Sequence, residues 1–99
     1  MSLFAQTFGE VTGHISDATG AAIPGAKIYL TNTATNAVRE TLSTDSGDYT
    51  FAAVAPGTYK IRVEQASFKT TGSSSIPVQV QQTVRLDFTL EVGAVTESV

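Results

Sequence analysis

The stretch DSGDYTFAAVAPGTYKIRV, residues 45–63, decides the fold of this chain. Before Pro56 and Gly57 the apolar Tyr49 and Phe51 alternate with polar residues, and the same alternation resumes after them. An apolar side chain at every second position places one face of a β-strand against a core. Pro fixes φ and Gly tolerates positive φ, so the pair favours a chain reversal. The stretch therefore predicts a β-hairpin. Its core-facing side chains are Tyr49, Phe51, Tyr59, Ile61 and Val63.

The same alternation recurs on both sides of this stretch. Turn-forming clusters separate the alternating segments, among them an Asx-type turn at 17–20 and a Pro-Gly break at 23–25. We count about seven short strands and find no run with helical period, which is typical of two packed sheets. The sequence thus predicts an all-β fold, a roughly seven-stranded antiparallel Greek-key β-sandwich. The segments outside the hairpin are 9–16, 26–31, 38–43, 76–80 and 84–91.

Local composition also predicts where the strands lie within their sheets. Residues 84–91 form the longest clean alternation and are expected at the centre of a sheet. Glu40 within 38–43 is typical of a sheet edge, because charge there discourages unwanted pairing. Pro77 restricts 76–80 to an edge or to the start of a strand. Residues 70–75, rich in Gly and Ser, are expected to form a surface loop.

Composition excludes several classes of protein. The chain has 99 residues and no cysteine, so one domain without disulfides or thiolate metal sites is expected. The net charge is −3, and the 6 Lys and Arg residues are scattered along the sequence. That distribution disfavours a nucleic-acid groove or an anionic membrane surface. No apolar run is long enough for a membrane-spanning helix, so the chain itself is not expected to span a membrane.

The sequence divides into a sandwich and two flanking segments. Residues 1–8 are interpreted as an expression-vector remnant and a lead-in, in which Ala5 resembles the small residue at a signal-peptidase site. Residues 9–91 form the expected sandwich domain. Residues 92–99 are expected to be an extended tail that leads towards a missing downstream domain. Export from the cytoplasm is the localisation that this organisation suggests.

Residues that could carry chemistry are few. His14 alternates onto the polar face of the first strand without partners at metal-ligand spacing. Asp45 and Asp48 lack the alternating ligands and the terminal Glu of a calcium loop, so a plain turn is expected. Asp87 and Glu91 share a strand face but are too far apart to share a proton. We therefore expect no enzyme, no catalytic or metal-binding residue and no cofactor.

Tyr29 is the candidate for a binding residue. It falls on the polar side of its strand, where it places an aromatic ring beside Lys27 and Thr31. Single exposed aromatic residues are common, and packing under a loop is the more ordinary explanation. Clusters of exposed aromatic and polar groups bind ligands. Lys27, Tyr29 and Thr31 are accordingly the predicted binding surface, for a carbohydrate or a protein partner.

Three segments taken together resemble a known family: 9–20, 23–28 and 45–59. They contain an Asp-x-x-Gly turn, a Pro-Gly-Ala start to the second strand and a Gly-x-Tyr-x-Phe strand before Pro-Gly-x-Tyr. This order resembles the carboxypeptidase regulatory-like family of transthyretin-like (prealbumin-like, Cna-B-like) domains. The resemblance implies the same prealbumin-like sandwich over residues 9–91. Ser67 departs from the family pattern, which usually has Gly there, so the backbone at that corner must suit a residue with a Cβ.

The chain looks most similar to the amino-terminal extension of TonB-dependent (Oar-like) outer-membrane receptors of bacteria, and its tail, residues 90–99, is similar to the strand that leads from this domain towards the plug. That resemblance implies a signal peptide upstream, a periplasmic or outer-membrane-associated location and a non-catalytic accessory role, structural or in protein interaction. The implied partner is the plug and barrel of the same polypeptide or another cell-envelope protein. Two alternatives remain open. One is a carbohydrate-binding module of the starch-binding type, and the other is an accessory domain of a secreted metallocarboxypeptidase whose zinc lies on a different domain.

Overall fold

The computed structural model describes residues 8–93, and every regular element in that range is a β-strand. Alternating burial along the strands produces this architecture: in β1, for example, each second side chain is buried between the sheets. No helix in the described range is long and apolar enough to cross a bilayer. The strands are β1 (Gly9–Asp17), β2 (Lys27–Asn32), β3 (Val38–Leu42), β4 (Asp48–Val54), β5 (Gly57–Glu64), β6 (Thr71–Val78), β7 (Thr83–Arg85) and β8 (Phe88–Leu90).

The strands form two sheets packed face to face. One has the order β4-β1-β7, with β8 also paired to β1, and the other has the order β3-β2-β5-β6. The predicted all-β sandwich is confirmed, with its last predicted strand divided into β7 and β8. Side chains from both sheets meet in a single core. Its largest fully buried members are Tyr49, Phe51, Ile15, Ile28, Leu30, Leu90, Val11, Val54, Val63 and Val78.

The predicted hairpin at residues 45–63 is wrong in its pairing. β4 pairs with β1 in one sheet, whereas β5 pairs with β2 and β6 in the other. Pro56 therefore lies in a connection that crosses from one sheet to the other, and Gly57 does not use a positive φ. Both arms still alternate as predicted, because each turns its apolar side chains into the same core. Alternation reports which face is buried but not which strand is the neighbour.

Strand β4 contains a bulge just before this crossing. Its register with β1 shifts between the pairs Gly9↔Val54 and Val11↔Phe51. Ala53 adopts a φ of 53°, in the left-handed region. The extra residue leaves Ala53 exposed and returns Val54 to the core.

The predicted central position of residues 84–91 is also wrong. β7 and β8 pair only with β1, and both do so in parallel, so β1 is the central strand of this sheet. Leu86 donates its N–H to the Thr12 carbonyl at 2.8 Å between the two short strands. The alternation itself is correct, since Val84, Leu86 and Phe88 pack against the core as partly buried residues and Leu90 is fully buried.

Both strands predicted at edges lie at edges, β3 at one end of its sheet and the Pro77-containing β6 at the other. The predicted loop at 70–75 is wrong, because β6 already begins at Thr71. Small polar residues fit here because an edge strand with one exposed face needs few apolar side chains. Only Ile76 and Val78 of β6 are buried, and a register shift occurs between Tyr59 and Ile61 of its neighbour β5.

The turn at Asp17 and the backbone at Ser67 account for two positions of the family pattern. The Asp17 carboxylate accepts hydrogen bonds from the Thr19 hydroxyl at 2.6 Å and the Thr19 N–H at 2.8 Å, and these hold the pKa of Asp17 below its usual value. Ser67 has a φ of 74°, in the left-handed region that favours glycine. The departure noted at Ser67 therefore places a residue with a Cβ in a conformation where the family usually has Gly. The remnant and lead-in interpreted at residues 1–8 and the tail expected at 92–99 lie mostly outside the described residues, which exclude 1–7 and 94–99.

Candidate functional site

The predicted binding residues share the outer face of β2. Ile28 and Leu30 point into the core, so Lys27, Tyr29 and Thr31 point away from it. Lys27 is exposed, whereas Tyr29 and Thr31 are half-buried by neighbouring strands. The predicted placement on one face is confirmed by the structure, and their role in binding stays a prediction.

Tyr29 carries a cation on its ring. Arg62 lies directly across from Tyr29 on β5, with its guanidinium carbon 4.7 Å from the ring centroid. This is a cation–π contact. Glu64 holds the same guanidinium from the side, with its carboxylate 2.9 Å from Arg62 Nε. The ring is therefore partly covered, and sequence reasoning missed Arg62 because the register between β2 and β5 is not visible in either strand alone.

A shallow groove runs along this outer face. It has a volume of about 450 Å³ and opens towards solvent. Tyr29 and Thr31 line one side and Lys60 and Arg62 the middle. Gly72 faces Arg62 from β6. Lys27 lies outside this groove, in a neighbouring depression. The predicted trio is thus divided, with two of its members in the groove. The remaining lining residues are Ile61, Thr70, Thr71, Ser73 and Ser74.

The outer face continues to the edge strand β3. Val38 lies across from Thr31, Glu40 from Tyr29 and Leu42 from Lys27. Val38 is 58% exposed and Leu42 is 54% exposed. The β3 edge of this sheet therefore exposes two apolar side chains, Val38 and Leu42, with the Glu40 carboxylate between them.

The outer face of the other sheet carries a polar cluster around His14. Its Nδ1 lies 3.0 Å from an Asp48 carboxylate oxygen, and its backbone N–H donates to Asp87 Oδ1 at 3.0 Å. Residues 8–93 contain no group of three or more His, Cys, Asp or Glu side chains arranged to hold a metal ion. The carboxylates of Asp87 and Glu91, which share a strand face in the sequence analysis, form separate ion pairs. Asp87 is paired with Arg85 at 3.2 Å and Glu91 with Lys69 at 3.6 Å. The contacts of His14 therefore join β1 to Asp48 of β4 and to Asp87, which lies between β7 and β8.

The fold and this surface define a β-sandwich domain whose polar outer faces and strand edges are available to other molecules. The carboxypeptidase regulatory-like domain model matches residues 10–91. The chain belongs to the carboxypeptidase regulatory-like domain family.

Solved structures share the fold at low sequence identity. The TIE protein of Bacillus anthracis superposes with a TM-score of 0.70 at 17% identity over 87% of this chain. A candidate carbohydrate-binding protein of Bacteroides uniformis gives 0.68 at 22% over 85%, and a minor pilin of Streptococcus agalactiae gives 0.70 at 11% over 95%. The matched regions are 17%, 41% and 48% of those longer chains. No curated protein matches the chain. At these identities the likeness shows the fold.

Proposed function

We propose that the chain is a non-catalytic recognition module of a larger cell-envelope protein, and that it binds partner proteins through its sheet edges. The observation that carries this proposal is the pair of strands left unpaired on one side, β3 and β6. A sheet edge presents backbone N–H and C=O groups that an extended partner segment can pair with wherever its backbone is regular. Main-chain hydrogen bonds then supply affinity, and side chains at alternate positions supply selectivity.

The residues of the family pattern support a role outside the core. Tyr49 and Phe51 are 2% exposed and Tyr59 is 5% exposed, so these residues serve the packing of the core. Gly47 takes a φ of 82° in the turn that precedes β4. These residues build the sandwich and leave none of their polar groups at a solvent-facing site, so recognition falls to faces and edges.

We further propose that the larger protein is a TonB-dependent outer-membrane receptor and that the module acts in the periplasm after export. Residues 90–99 are similar in sequence to the strand that leads from such a domain towards the plug, and this similarity supports the attachment. The partner is then the plug and barrel of the same polypeptide or a neighbouring envelope protein. The gene that encodes the full polypeptide tests the attachment.

In that gene, we expect a cleavable signal peptide upstream and, downstream of the module, a plug followed by many strands of about 10 residues each. A zinc-peptidase domain downstream would instead support the accessory domain of a secreted metallocarboxypeptidase. A glycosidase domain would favour carbohydrate binding. Either of these results, or an upstream sequence typical of a cytosolic protein, overturns the receptor assignment.

Carbohydrate binding is the second candidate function, and the Tyr29–Arg62 groove is the observation that favours it. Sugars stack on aromatic rings and hydrogen-bond to cationic and hydroxyl side chains, and both kinds of group line this groove. The sandwich of the Bacteroides uniformis protein described above supports the same reading. Arg62 already covers Tyr29, so a sugar that stacks there must share or displace the guanidinium.

Isothermal titration of the module against oligosaccharides tests this second function. We expect heat of binding from the wild type, its loss in Tyr29→Ala, and its retention in His14→Ala, which alters an aromatic side chain on the opposite sheet. If the wild type gives no heat of binding at millimolar sugar, the carbohydrate hypothesis is wrong. Equal binding by Tyr29→Ala would also contradict a role for this groove.

A further inference from the structure

We propose that the open edge of β3 docks an extended segment in which a cationic residue lies between two apolar residues. This inference rests on the proposed recognition function and names the surface and the chemistry of the partner. Five residues, Val38–Leu42, form the strand that would be extended.

The backbone groups of alternate β3 residues point away from the sheet. In the pairing with β2, Ser43 donates its N–H to Ala26 at 2.9 Å and Ala37 accepts from Asn32 at 2.9 Å. Hydrogen-bonded pairs alternate along an antiparallel ladder, so the residues between these ends that bond to β2 are Arg39 and Thr41. The outward N–H and C=O groups belong to Val38, Glu40 and Leu42.

The same residues place their side chains on the outer face. Val38 and Leu42 expose apolar surface on either side of the Glu40 carboxylate. The ion pairs found among residues 8–93 do not include Glu40. A partner strand paired to β3 would set three of its own side chains opposite this apolar–anionic–apolar row. Two apolar side chains with a Lys or Arg between them are the complement.

The edge of β4, which lies beside β3 in the other sheet, is obstructed. Arg39 donates from Nη1 to the Ala53 carbonyl at 3.3 Å, and its guanidinium lies 5.6 Å from the centre of the Phe51 ring. This contact occupies a backbone acceptor of β4 at its bulge. A bulge also twists a strand away from regular pairing.

The edge of β6 is interrupted as well. Ser75 adopts a φ of 58°, and the register with β5 shifts in the same region. Pro77 has no N–H to donate. Irregular backbone and proline are both devices that prevent strand addition. Among the edges formed by β3, β4 and β6, β3 is therefore the best suited to receive a strand.

Charge argues against a second copy of this chain as the occupant. In a twofold antiparallel pairing of β3 with itself, the register that sets Val38 against Leu42 also sets Glu40 against Glu40. Like charges directly opposite each other destabilise a strand pair. A different chain with a cation at that position gains the attraction instead.

Fluorescence anisotropy with two labelled peptides tests the inference. Both are short and extended, one containing Val-Lys-Val flanked by Thr residues and the other Val-Glu-Val in the same frame. We expect the wild-type module to bind the Lys peptide about tenfold more tightly than the Glu peptide, since one facing pair changes from attraction to repulsion. Equal affinity for the two peptides overturns the proposed charge selection.

Three variants locate the effect. Glu40→Lys is expected to reverse the preference between the peptides. Glu64→Lys makes the same change of charge on the same outer face but within β5, an interior strand, and should leave the preference unchanged. Glu40→Pro removes an outward N–H without removing a bond to β2, so it should abolish binding of both peptides while circular dichroism stays unchanged. Reversal by Glu64→Lys, or binding retained by a folded Glu40→Pro, overturns docking at this edge.

These outcomes separate the inference from the proposed function. If the wild type binds both peptides equally and Glu40→Pro abolishes both, strand recognition stands and the cation requirement fails. If the folded wild type binds neither peptide at millimolar concentration, docking at β3 fails. The attachment to an envelope receptor is then decided by the gene, which does not depend on β3.

Discussion

Replacing Tyr59 with alanine lowers the free energy of unfolding by about 3 to 5 kcal/mol, the range for truncation of a buried aromatic residue. The ring is 5% exposed and lies in the core between the two sheets. Its hydroxyl donates to the Ala55 carbonyl at 2.7 Å, within the connection that carries the chain from one sheet to the other. The substitution therefore leaves a cavity and also frees a backbone acceptor at the crossing.

Urea unfolding followed by circular dichroism measures this loss. Tyr59→Phe is the matched control, because it keeps the ring and removes only the hydroxyl, and it should lose about 1 kcal/mol. A near-neutral Tyr59→Ala would mean that this face of β5 does not belong to the core. Equal losses in the two variants would show that the hydrogen bond to Ala55, rather than packing of the ring, holds the crossing.

Replacing Gly13 with alanine destabilises the protein by about 3 kcal/mol, at the upper end for an overpacked site. A Cβ at this position would collide with the backbone carbonyl of Leu86 and lie 2.8 Å from the Tyr49 ring. The Tyr49 hydroxyl donates to that carbonyl at 2.7 Å. Burial raises the pKa of Tyr49 above its usual range, so the phenol stays protonated and remains a donor. Gly13 thus permits the chain between β7 and β8 to pass close over β1.

Gly57→Ala is the control for this prediction. Gly57 also lies in a strand, has no positive φ, and an added Cβ would meet the Asn32 side chain at 3.5 Å and the Tyr59 ring at 3.7 Å, which are ordinary contacts. Its stability should stay within about 0.5 kcal/mol of the wild type. Thermal unfolding of both variants is the measurement. A Gly13→Ala protein as stable as Gly57→Ala contradicts the close approach of Leu86.

Burial was predictable from the sequence because it is a local property. The alternation along 84–91 correctly marked Val84, Leu86, Phe88 and Leu90 as the core-facing side, although the segment is neither continuous nor central. The charge at Glu40 and the proline at Pro77 correctly marked two edges. Each of these signals needs only the residue and its neighbours along the chain.

Pairing between distant strands was not predictable in the same way. A Pro-Gly pair between two alternating runs fits a hairpin within one sheet and equally fits a crossing between sheets, because both bury the same side chains. The parallel pairing of β7 and β8 with β1 joins segments that are about 70 residues apart in the sequence. A local trace of it is Gly13, whose missing side chain makes room for Leu86.

In the candidate site, too, local features were predictable from the sequence and features that depend on strand pairing were not. The shared face of Lys27, Tyr29 and Thr31 follows from parity along one strand. The guanidinium of Arg62 over Tyr29 and the groove beside it follow from the register of β2 with β5. That register could not be read from either segment.

Hydrogen exchange of individual amides, measured by NMR with and without the Val-Lys-Val peptide, tests recognition at the β3 edge most directly. In the free module the amides of Val38, Glu40 and Leu42 face solvent and should exchange quickly, while those of Arg39 and Thr41 are protected by β2. Binding should slow exchange at Val38, Glu40 and Leu42 together. Peptide binding that leaves these three amides unprotected, or that protects β6 instead, would contradict recognition through this edge.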